Sequence, residues 1–496
     1  MKTICILTAG KGIRLNEYSS LVNKALLPIN KKAAISHIID NFPVDSKIVV
    51  AIGHLGGQVK TFLKFCYPKR DIKFVRIKNY SGKGSGPGKS LLQCKRFLNK
   101  SFYFVSCDTI WKEKIYKKEK ANWMGVSKKL FFNPKHYCNL LSKNSKIILM
   151  KDKQFAPKNF KHFIGLAYIK DHDLFWSAFK DMKKRAGEYQ VTSGFRELIN
   201  SKVVKEKKLE WNDIGNLDNY NSTLQKYEKF NFRKKNEFIY LNKERIIKFI
   251  NSKKKIDRLN IRSKNNKSFP TITKKKDQFI QYKFISGNIF YEDASVKKFL
   301  KLLNFLSKKF WKKSSKININ SICKKFYYFK TLKRINSFFK KYNMKKDTFL
   351  SINRKKIPNI KELIDLIPWK NIFKGVPSNF HGDLQFDNII SANKKFYLID
   401  WREDFGGNLN YGDLYYDLAK LDGGIEMNYD LIKKGKFLIK ENKNQVFYKF
   451  TSRNKLMKKI KFEFNKFLKK NDYSEEKVEI IKCLIYLNMC PYTKLL

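Results

Sequence analysis

Residues 380–390 read FHGDLQFDNII, and residues 398–401, close behind, read LIDW. Together they supply an acid at Asp383, an amide at Asn388 and a second acid, Asp400, at the end of an apolar run. That run is typical of a buried strand, where a terminal carboxylate is costly unless it is paired or binds a metal. Phosphoryl transfer uses such groups: one carboxylate orients the attacking hydroxyl, and an amide and a second carboxylate hold Mg²⁺ on the phosphates. The alternative is a capped turn between two strands, since Asp, Asn and Gly favour turns.

The wider pattern around this stretch points to a family. H-G-D-x-x-x-x-N, followed by I-D-W and by D-L-A at residues 417–419, resembles the aminoglycoside phosphotransferase and choline kinase family. The resemblance covers roughly residues 231–496. It implies an α+β, protein-kinase-like domain of two lobes, the small lobe at about 231–286 and the large lobe at 287–496.

The resemblance also implies roles for four residues. Asp383 is the catalytic base, while Asn388 and Asp400 are metal ligands. His381 is a structural hydrogen-bonding residue behind the base and not a proton carrier. The implied cofactor is Mg²⁺, and the implied phosphate donor is ATP.

The small lobe is predicted from alternating residue character. Residues 237–250 alternate like a hairpin with a polar turn. Lys248 lies centrally in its second strand, where the kinase fold carries its phosphate-binding lysine; a surface lysine is the alternative. Residues 279–287 resemble the hinge strand, so the backbone at Gln281 and Tyr282 is predicted to bind the adenine.

Length and composition bound the class of protein. A chain of 496 residues predicts two or three domains, and 43% hydrophobic residues with 15% aromatic residues are ample for globular cores. The eight cysteines are scattered without a C-x-x-C pair, which is typical of reduced thiols in a cytoplasm. No apolar run approaches the roughly 18 residues of a transmembrane helix, so we expect no membrane span.

The formal net charge of +63 invites a nucleic-acid interpretation. The lysines are spread along the chain, however, and no zinc-finger spacing, RNP signature or basic-zipper heptad accompanies them. We therefore expect non-specific polyanion binding at low salt and no specific nucleic-acid partner. The alternative from another functional class is a basic nucleic-acid-binding protein with degenerate enzyme domains. The presence of the candidate catalytic and metal-binding acids, Asp383, Asp400, Asp108 and Asp213, argues against it.

The N-terminus begins with a strand and a glycine-rich turn. Residues 1–9 are typical of a buried strand, and the two glycines that follow let backbone N–H groups approach a phosphate. Arg14 and Lys24 bring positive charge to the same loop. The predicted nucleotide-binding residues of this turn are Gly10, Lys11 and Gly12.

The order of elements after this turn predicts an α/β fold. Strands are predicted at residues 48–53 and 74–77, with helices at 33–41 and 57–66. The order βαβαβ indicates a Rossmann-like, mostly parallel sheet with helices on both faces.

The first 30 residues also carry a family resemblance. The glycine turn with Arg14, Lys24 and Pro28 resembles the sugar-phosphate nucleotidyltransferase family, whose usual Pro-Lys is Asn23-Lys24 here. The resemblance implies that Arg14 and Lys24 are catalytic. A dinucleotide-binding Rossmann loop is the competing interpretation, but it needs a third glycine and an acid about 20 residues later, and neither is in place.

Two acids far apart in sequence complete this second resemblance. Asp108 ends an apolar strand at residues 102–108, and Asp213 lies in the W-x-D-x-G segment at 211–215. In the family, acids at these positions jointly bind Mg²⁺, which takes few protein oxygens and keeps several waters. For either acid alone, a helix cap or a turn residue is the alternative.

The remaining predicted site residues rest on position within this family. The glycine-dense segment 81–90 fails the Walker A spacing; by resemblance it is the loop that faces the base and ribose, with Gly84 and Gly86 binding nucleotide. A plain mobile loop is the alternative. Gly165 and Glu188 match positions that line the acceptor pocket.

Two domains are therefore predicted, a nucleotidyltransferase at 1–230 and a small-molecule kinase at 231–496, with the boundary near residues 229–233. The kinase would phosphorylate a small hydroxyl compound, such as a sugar. The first domain would couple the phosphorylated acceptor to CTP, UTP, GTP or dTTP, with release of pyrophosphate. The expected product is a nucleotide-activated building block for a surface polysaccharide or lipid, made in the cytoplasm. The alternative substrate is choline, with CDP-choline as product; an aromatic cage would support it.

Overall fold

The structure, a computed structural model, describes residues 1–128, 134–180, 184–185, 188–227, 236–343, 350–427, 431–432, 435–442, 445–450 and 455–490. The chain divides into two units. The first unit comprises the described residues of Met1–Glu228, Arg233–Asn251 and Lys274–Gln281, and the second unit those of Ser252–Thr273 and Tyr282–Leu496. The predicted boundary at 229–233 lies outside the described residues.

Short strands and helices alternate along most of the chain. The strands are β1 Thr3–Leu7, β2 Pro28–Ile29, β3 Lys32–Ala33, β4 Lys47–Ile52, β5 Ile72–Arg76, β6 Phe102–Ser106, β7 Thr109–Trp111, β8 Asn122–Ser127, β9 Cys138–Lys143, β10 Lys146–Asp152, β11 Lys161–Ile169, β12 Lys184–Arg185, β13 Glu188–Tyr189, β14 Val204–Leu209, β15 Trp211–Asp213, β16 Glu237–Asn242, β17 Arg245–Ile250, β18 Ile272–Lys276, β19 Phe279–Lys283, β20 Asn288–Ile289, β21 Leu350–Ile352, β22 Lys355–Ile357, β23 Pro377–Ser378, β24 Ile389–Ala392, β25 Lys395–Leu398, β26 Gly412–Asp413, β27 Phe437–Asn442 and β28 Gln445–Phe450. The α-helices are α1 Tyr18–Leu21, α2 Ala34–Ile39, α3 Gly56–Cys66, α4 Pro87–Gln93, α5 His172–Ser177, α6 Thr192–Ser201, α7 Leu217–Gln225, α8 Lys253–Asn265, α9 Val296–Phe305, α10 Asn320–Cys323, α11 Lys330–Tyr342, α12 Ile360–Asp365, α13 Trp369–Phe373, α14 Leu414–Glu426, α15 Lys455–Lys470 and α16 Glu475–Leu487. None of the helices in the described ranges is both long enough and apolar enough to cross a membrane.

A nine-stranded sheet organises the first unit, in the order β5-β4-β1-β6-β11-β8-β14-β10-β9. The pairings among β5, β4, β1 and β6 are parallel, as the βαβαβ order predicts. β11 is antiparallel to both β6 and β8, so the sheet as a whole is mixed and not mostly parallel. β9 and β10 are also antiparallel, and the reason is local. A two-residue turn joins them as a hairpin, and both turn residues, Asn144 and Ser145, have the positive φ that such a turn requires.

Both faces of this sheet are buried. Along β1, Ile4 and Ile6 pack into one apolar cluster, and Cys5, between them, packs into a second cluster on the opposite face. β4 and β6 alternate in the same way. Continuous apolar strands, as at the N-terminus, are what a sheet covered on both faces requires.

The hairpin of β16 and β17 lies in the first unit, although the sequence assigns it to the small lobe of the second domain. Its register pairs Glu237 with Ile250, so the predicted hairpin is present. The Tyr240 hydroxyl donates to the carbonyl of Leu26 at 2.7 Å, and its ring lies 4.8 Å from that of Phe62. These contacts group the hairpin with the first unit, and the division into domains 1–230 and 231–496 stays a prediction.

In the second unit, the hairpin of β24 and β25 pairs Ile389 with Leu398, and β20 adds to β24. The hairpin places Asn388 just before its first strand and Asp400 just after its second. Two long helical stretches, residues 296–310 and 320–342, each combine α-helix with a π-helical segment. The π-helical segments are Leu306–Phe310 and Lys324–Phe329.

An ion cluster around the buried side chains of Lys482 and Asp422 joins α14 to α16. Lys482 Nζ lies 3.0 Å from Asp422 Oδ2, 2.5 Å from Glu426 Oε2 and 2.7 Å from Glu479 Oε2. These three carboxylates are close enough to hold one metal ion, and the lysine ammonium fills that position. Asp422 is fully buried and also pairs with Lys461. The cluster is therefore a structural link between the two helices.

We expect Lys482→Met to destabilise the second unit by about 3–5 kcal/mol, because it leaves buried carboxylate charge with less compensation. The measurement is the free energy of unfolding in urea. The double variant Lys482→Met with Asp422→Asn should recover part of the loss, since it removes both charges. A single variant as stable as the wild type would contradict the structural role of the cluster.

Candidate active sites

The first candidate site forms where β7 pairs with β15. Thr109 pairs with Asp213 in this ladder, and the N–H of Ile214 donates to the carbonyl of Asp108 at 3.1 Å. A Cβ atom built on Gly215 would lie 2.8 Å from Asp213 Oδ1 and 3.4 Å from Asp108 Oδ2. The structure thus places the carboxylates of the two acids that are predicted as metal ligands next to each other, beside Gly215.

Lys24, which follows the N-terminal glycine turn in sequence, contacts both segments of this site. Its Nζ lies 2.5 Å from Asp108 Oδ2 and donates to the carbonyl of Gly215 at 3.2 Å. Burial opposes ionisation of Asp108, but Lys24 and then Arg14 bring the pKa of its carboxyl below the usual range. Burial and the neighbouring Asp108 raise the pKa of the Asp213 carboxyl. Two acids and two cations therefore interact in one small site.

Two side chains that the sequence analysis missed hold Asp213 in place. The hydroxyl of Tyr137 donates to Asp213 Oδ2 at 3.1 Å, and the Asn219 amide donates to the same oxygen at 2.6 Å. The N–H of Gly215 donates to Asp213 Oδ1 at 2.7 Å. Both carboxylate oxygens are thereby oriented, and the G of W-x-D-x-G is the one signal that the sequence offered for this.

Asn23 stands where the nucleotidyltransferase family usually has proline, and the sequence analysis predicted no structural role for it. Its side-chain amide donates to the carbonyls of Thr8 at 2.9 Å and His54 at 2.6 Å, and its Oδ1 accepts from the N–H of Ala25. The side chain is fully buried. Asn23 therefore ties the turn that carries Lys24 to the end of β1.

We expect Asn23→Ala to destabilise the first unit by about 1–3 kcal/mol, because it leaves buried backbone groups without partners. Asn23→Pro should not be neutral, since the N–H of Asn23 donates to Gln58 Oε1 at 3.0 Å and proline has no N–H. Thermal melting of both variants measures the effect. A proline variant that melts with the wild type would mean that this hydrogen-bond network contributes little.

The predicted loop residues near this site have distinct positions. Gly10 and Lys11 are exposed, and Gly12 has φ +66° directly before the short helix that carries Arg14. Gly165, with φ +78°, packs against Ser106 at the end of β6, where a Cβ would lie 2.8 Å from the serine Oγ.

The second glycine loop packs against a short strand. Gly84 and Gly86 both have positive φ, and a Cβ on Gly86 would clash with the backbone of Tyr189. The N–H of Tyr189 donates to the carbonyl of Ser85 at 2.8 Å, which places Glu188 beside the loop. Glycine is needed at position 86 for both reasons, and binding of nucleotide by this loop stays a prediction.

The second candidate site surrounds Asp383. The Asn388 amide donates to Asp383 Oδ2 at 3.2 Å and to its carbonyl at 2.8 Å, and Lys420 Nζ lies 2.7 Å from Asp383 Oδ1. Burial opposes ionisation, but Lys420 in particular keeps the pKa of Asp383 at about 2. Asp400 follows directly on Ile399, whose N–H donates to the Asn388 carbonyl, and it has φ +58°. The Asp383 and Asn388 side chains are thus in direct contact, and Asp400 follows a residue whose backbone is bonded to Asn388.

His381 supports this loop in the neutral form. Its Nε2 lies 2.8 Å from the carbonyl of Ile399, and its Nδ1 accepts from the N–H of Asp383 at 3.1 Å. Because the ring is fully buried, its pKa falls to about 4. With one nitrogen donating and the other accepting, this imidazole holds backbone and has no free nitrogen for proton transfer.

Two further residues hold the same backbone. Asp417, from the D-L-A segment, accepts from the N–H groups of His381 and Gly382, both at 2.7 Å. Burial raises the pKa of the Asp417 carboxyl to about 6, although these N–H groups oppose the shift. Arg262, on α8, donates to the carbonyls of Phe380 and Arg402, and no sequence signal marked it.

The remaining predicted nucleotide-binding residues lie on strands β17 and β19, which are neighbours in one four-stranded sheet. Lys248 lies in β17, opposite Ile239. Gln281 and Tyr282 are buried in β19, and the ring of Tyr282 lies 6.4 Å from that of Trp401. Their binding of ATP stays a prediction.

Comparison with known proteins supports a relationship for the N-terminal region alone. No family model matches the chain. The chain is 28% identical over 215 residues to the bifunctional protein GlmU of Methanocaldococcus jannaschii, which is 42% of this chain and 50% of that protein. GlmU of Methanococcus maripaludis is 26% identical over 216 residues, with the same shares covered. The chain spans about half the length of these curated relatives, and its N-terminal region resembles sugar-phosphate nucleotidyltransferases.

Solved structures with detectable similarity include a UDP-glucose pyrophosphorylase complexed with UDP-glucose and the inositol-1-phosphate CTP transferase from T. maritima. The first is 16% identical, with a TM-score of 0.38, and covers 46% of this chain and 98% of that chain. The second is 13% identical, with a TM-score of 0.36, and covers 46% of this chain and 97% of that chain.

Proposed function

We propose that the first unit is a nucleotidyltransferase that joins a phosphorylated small molecule, such as a sugar phosphate, to an NTP. The observation that carries the proposal is the convergence of Asp108, Asp213 and Lys24, which lie far apart in sequence. The resemblance of the N-terminal region to sugar-phosphate nucleotidyltransferases supports it.

In this reaction a phosphate oxygen of the acceptor attacks the α-phosphorus of the NTP, the bond to the β-phosphate oxygen breaks, and pyrophosphate leaves. Negative charge accumulates on the oxygens of the α-phosphate and on the oxygen of the leaving pyrophosphate. Lys24 holds its ammonium at the carboxylates, and Arg14 adds a second positive charge from the exposed loop. Such fixed cations stabilise the transition state more than they stabilise the separated substrates.

The residues present fit a divalent cation. A Cβ on Gly215 would fill the space that the Asp108 and Asp213 carboxylates border, so glycine leaves room there for a small ligand. Carboxylate oxygens are the ligands that Mg²⁺ prefers. Asp108 and Asp213 would hold Mg²⁺, which when bound neutralises phosphate charge and polarises the phosphorus that is attacked.

We further propose that the second unit is a kinase-like phosphotransferase. Asp383 would orient and deprotonate the acceptor hydroxyl, and Asn388 and Asp400 would hold Mg²⁺ on the phosphates of ATP. The observation that supports this proposal is the hydrogen bond from the Asn388 amide to Asp383, with the Asp383 backbone held by His381 and with Asp400 directly after Ile399, whose N–H donates to the Asn388 carbonyl. Of the residues predicted from the sequence to contact ATP, Tyr282 belongs to this unit.

Together the two units would perform consecutive steps, phosphorylation of a small hydroxyl compound and its activation by CTP, UTP, GTP or dTTP. A cytoplasmic role in building a surface polysaccharide or lipid is proposed from this combination. The test is a panel of sugars, amino alcohols and their phosphates with ATP and each NTP, read by mass spectrometry and by pyrophosphate release. Absence of pyrophosphate with every phosphorylated acceptor and NTP would overturn the first proposal, and absence of any new phosphate ester would overturn the second.

A further inference from the structure

One outward face of α15 carries lysines around a single aromatic ring. The exposed positions of this face recur every three or four residues, as one side of a helix does. They are Lys455, Lys458, Lys459, Phe462, Lys466, Lys469 and Lys470. The opposite side of the helix is buried in the protein core through Met457, Ile460, Phe464 and Leu468. Phe462 is 60% exposed, so an apolar ring lies in solvent at the middle of a basic face.

A shorter stretch of the same kind lies on α9. Leu300 is 44% exposed, and the exposed lysines Lys297 and Lys301 are close to it on the same helix. Val296, which is half-buried, lies one helical turn before Leu300 and therefore on the same side of α9. The outward side of α9 thus also combines lysines with exposed apolar surface.

The two helices are adjacent, so their outward sides form one surface. The ring of Phe299 on α9 lies 6.3 Å from the ring of Phe464 on α15. One open groove between the helices is lined by Val296, Lys458, Lys459, Phe462 and Glu463. We name this surface the basic-apolar face; it comprises the outward residues of α15 given above together with Val296, Lys297, Leu300 and Lys301.

Acidic groups balance the charge of the basic-apolar face only in part. Glu463 Oε1 lies 3.7 Å from Lys466 Nζ, and Glu475 Oε1 lies 3.9 Å from Lys469 Nζ. Within the ranges that the structure describes, no acid pairs with the other lysines of the face. Exposed ion pairs are weak, since water screens both charges. The face therefore keeps a net positive charge.

Exposed apolar side chains among lysines fit the surface of an anionic lipid bilayer. Lysines are attracted to the negative headgroups, while phenylalanine and leucine side chains enter the boundary between headgroups and acyl chains. A single-stranded nucleic acid could stack a base on Phe462, but Leu300 and Val296 have no aromatic face for stacking. The aliphatic residues beside the aromatic ring therefore favour lipid over nucleic acid.

We propose that the basic-apolar face docks the protein on a membrane that contains anionic phospholipids. Phe462 and Leu300 insert at the level of the headgroups, and the lysines of α9 and α15 contact the lipid phosphates. Both helices keep their buried sides in the protein core, so docking needs no unfolding. Docking requires neither of the two proposed activities, and its failure would leave both of those proposals in place.

The first test is cosedimentation of the full chain with vesicles of phosphatidylcholine that contain about one-third phosphatidylglycerol. Phe462→Ser should weaken binding about 10-fold, because it removes the inserted apolar group and keeps every charge. Phe329→Ser is the matched control, since Phe329 is 55% exposed and lies outside the face; it should bind as the wild type does. Equal binding of the wild type and Phe462→Ser would mean that overall charge alone attracts the protein, and would overturn the inference.

The second test changes charge at constant net charge of the variants. Lys458→Ala combined with Lys459→Ala should weaken vesicle binding about 10-fold or more, because each lysine near an anionic surface contributes to binding. Lys333→Ala combined with Lys340→Ala removes two exposed lysines of α11 and is the matched control. Equal weakening by the two pairs would show that the face has no special part in docking.

The third measurement locates the ring and tests the competing partner. Phe462→Trp should add fluorescence that vesicles with bromine-labelled acyl chains quench, and Phe329→Trp should not. Lack of quenching at position 462 would overturn the inference. Binding of a single-stranded oligonucleotide is measured with the same variants. If Phe462→Ser lowered oligonucleotide affinity as much as vesicle affinity, the face would be assigned to nucleic acid instead. Thermal melting is the folding control for each variant.

Discussion

Replacing either Asp108 or Asp213 by Asn is expected to reduce pyrophosphate release by about 10³-fold or more, because each change removes a carboxylate proposed to hold the metal. The substitution changes charge but little volume. Asp213 keeps neighbours in Tyr137, Asn219 and Gly215, so an asparagine there can still form hydrogen bonds. Without the metal, Lys24 and Arg14 would neutralise the phosphates alone.

The measurement is pyrophosphate release against Mg²⁺ concentration, with thermal melting as the folding control. Asp218→Asn is the matched control, since Asp218 is exposed and only five residues from Asp213. The ATP-dependent step should persist in all three variants, because its proposed metal ligands, Asn388 and Asp400, lie in the other unit. If Asp213→Asn kept wild-type turnover and Mg²⁺ dependence, the W-x-D-x-G segment would be merely structural.

The strand-end acids were predictable from the sequence because their signal is local. An apolar run that stops at an acid marks Asp108, and a tryptophan with a following glycine marks Asp213. The structure joins them through the β7–β15 ladder, which pairs residues about 100 positions apart. The parallel pairing of β1, β4 and β5 was predictable as well, because the βαβαβ order is read from neighbouring segments of the sequence.

Other features depend on contacts that no local pattern reports. Asn23 bonds to backbone 15 and 31 positions away, and Arg262 reaches carbonyls 118 and 140 positions along the chain. Alternation correctly predicted the hairpin at 237–250, but its grouping with the first unit depends on Tyr240, whose partners precede it by more than 170 residues. The antiparallel pairings at the centre of the large sheet likewise depend on where β11 inserts, between β6 and β8.

Asp383→Asn is expected to reduce phosphorylation of the acceptor by about 10²–10⁴-fold, the usual effect of losing a general base. The asparagine keeps the volume, and the backbone carbonyl of residue 383 still accepts from Asn388. What is lost is the charge that orients the acceptor hydroxyl and takes its proton. The measurement is ATP-dependent formation of the phosphate ester under saturating ATP.

The controls separate the two proposed sites. Asp365→Asn, an exposed acid at the end of α12, should leave both activities unchanged. Nucleotidyl transfer to an acceptor supplied already phosphorylated should survive in Asp383→Asn, because Asp108, Asp213 and Lys24 lie in the first unit. Under the two-site proposal, Asp383 lies in the second unit and has no part in attack on the α-phosphorus. Equal loss of both activities in a folded Asp383→Asn protein would contradict this, and would mean that one site performs both steps.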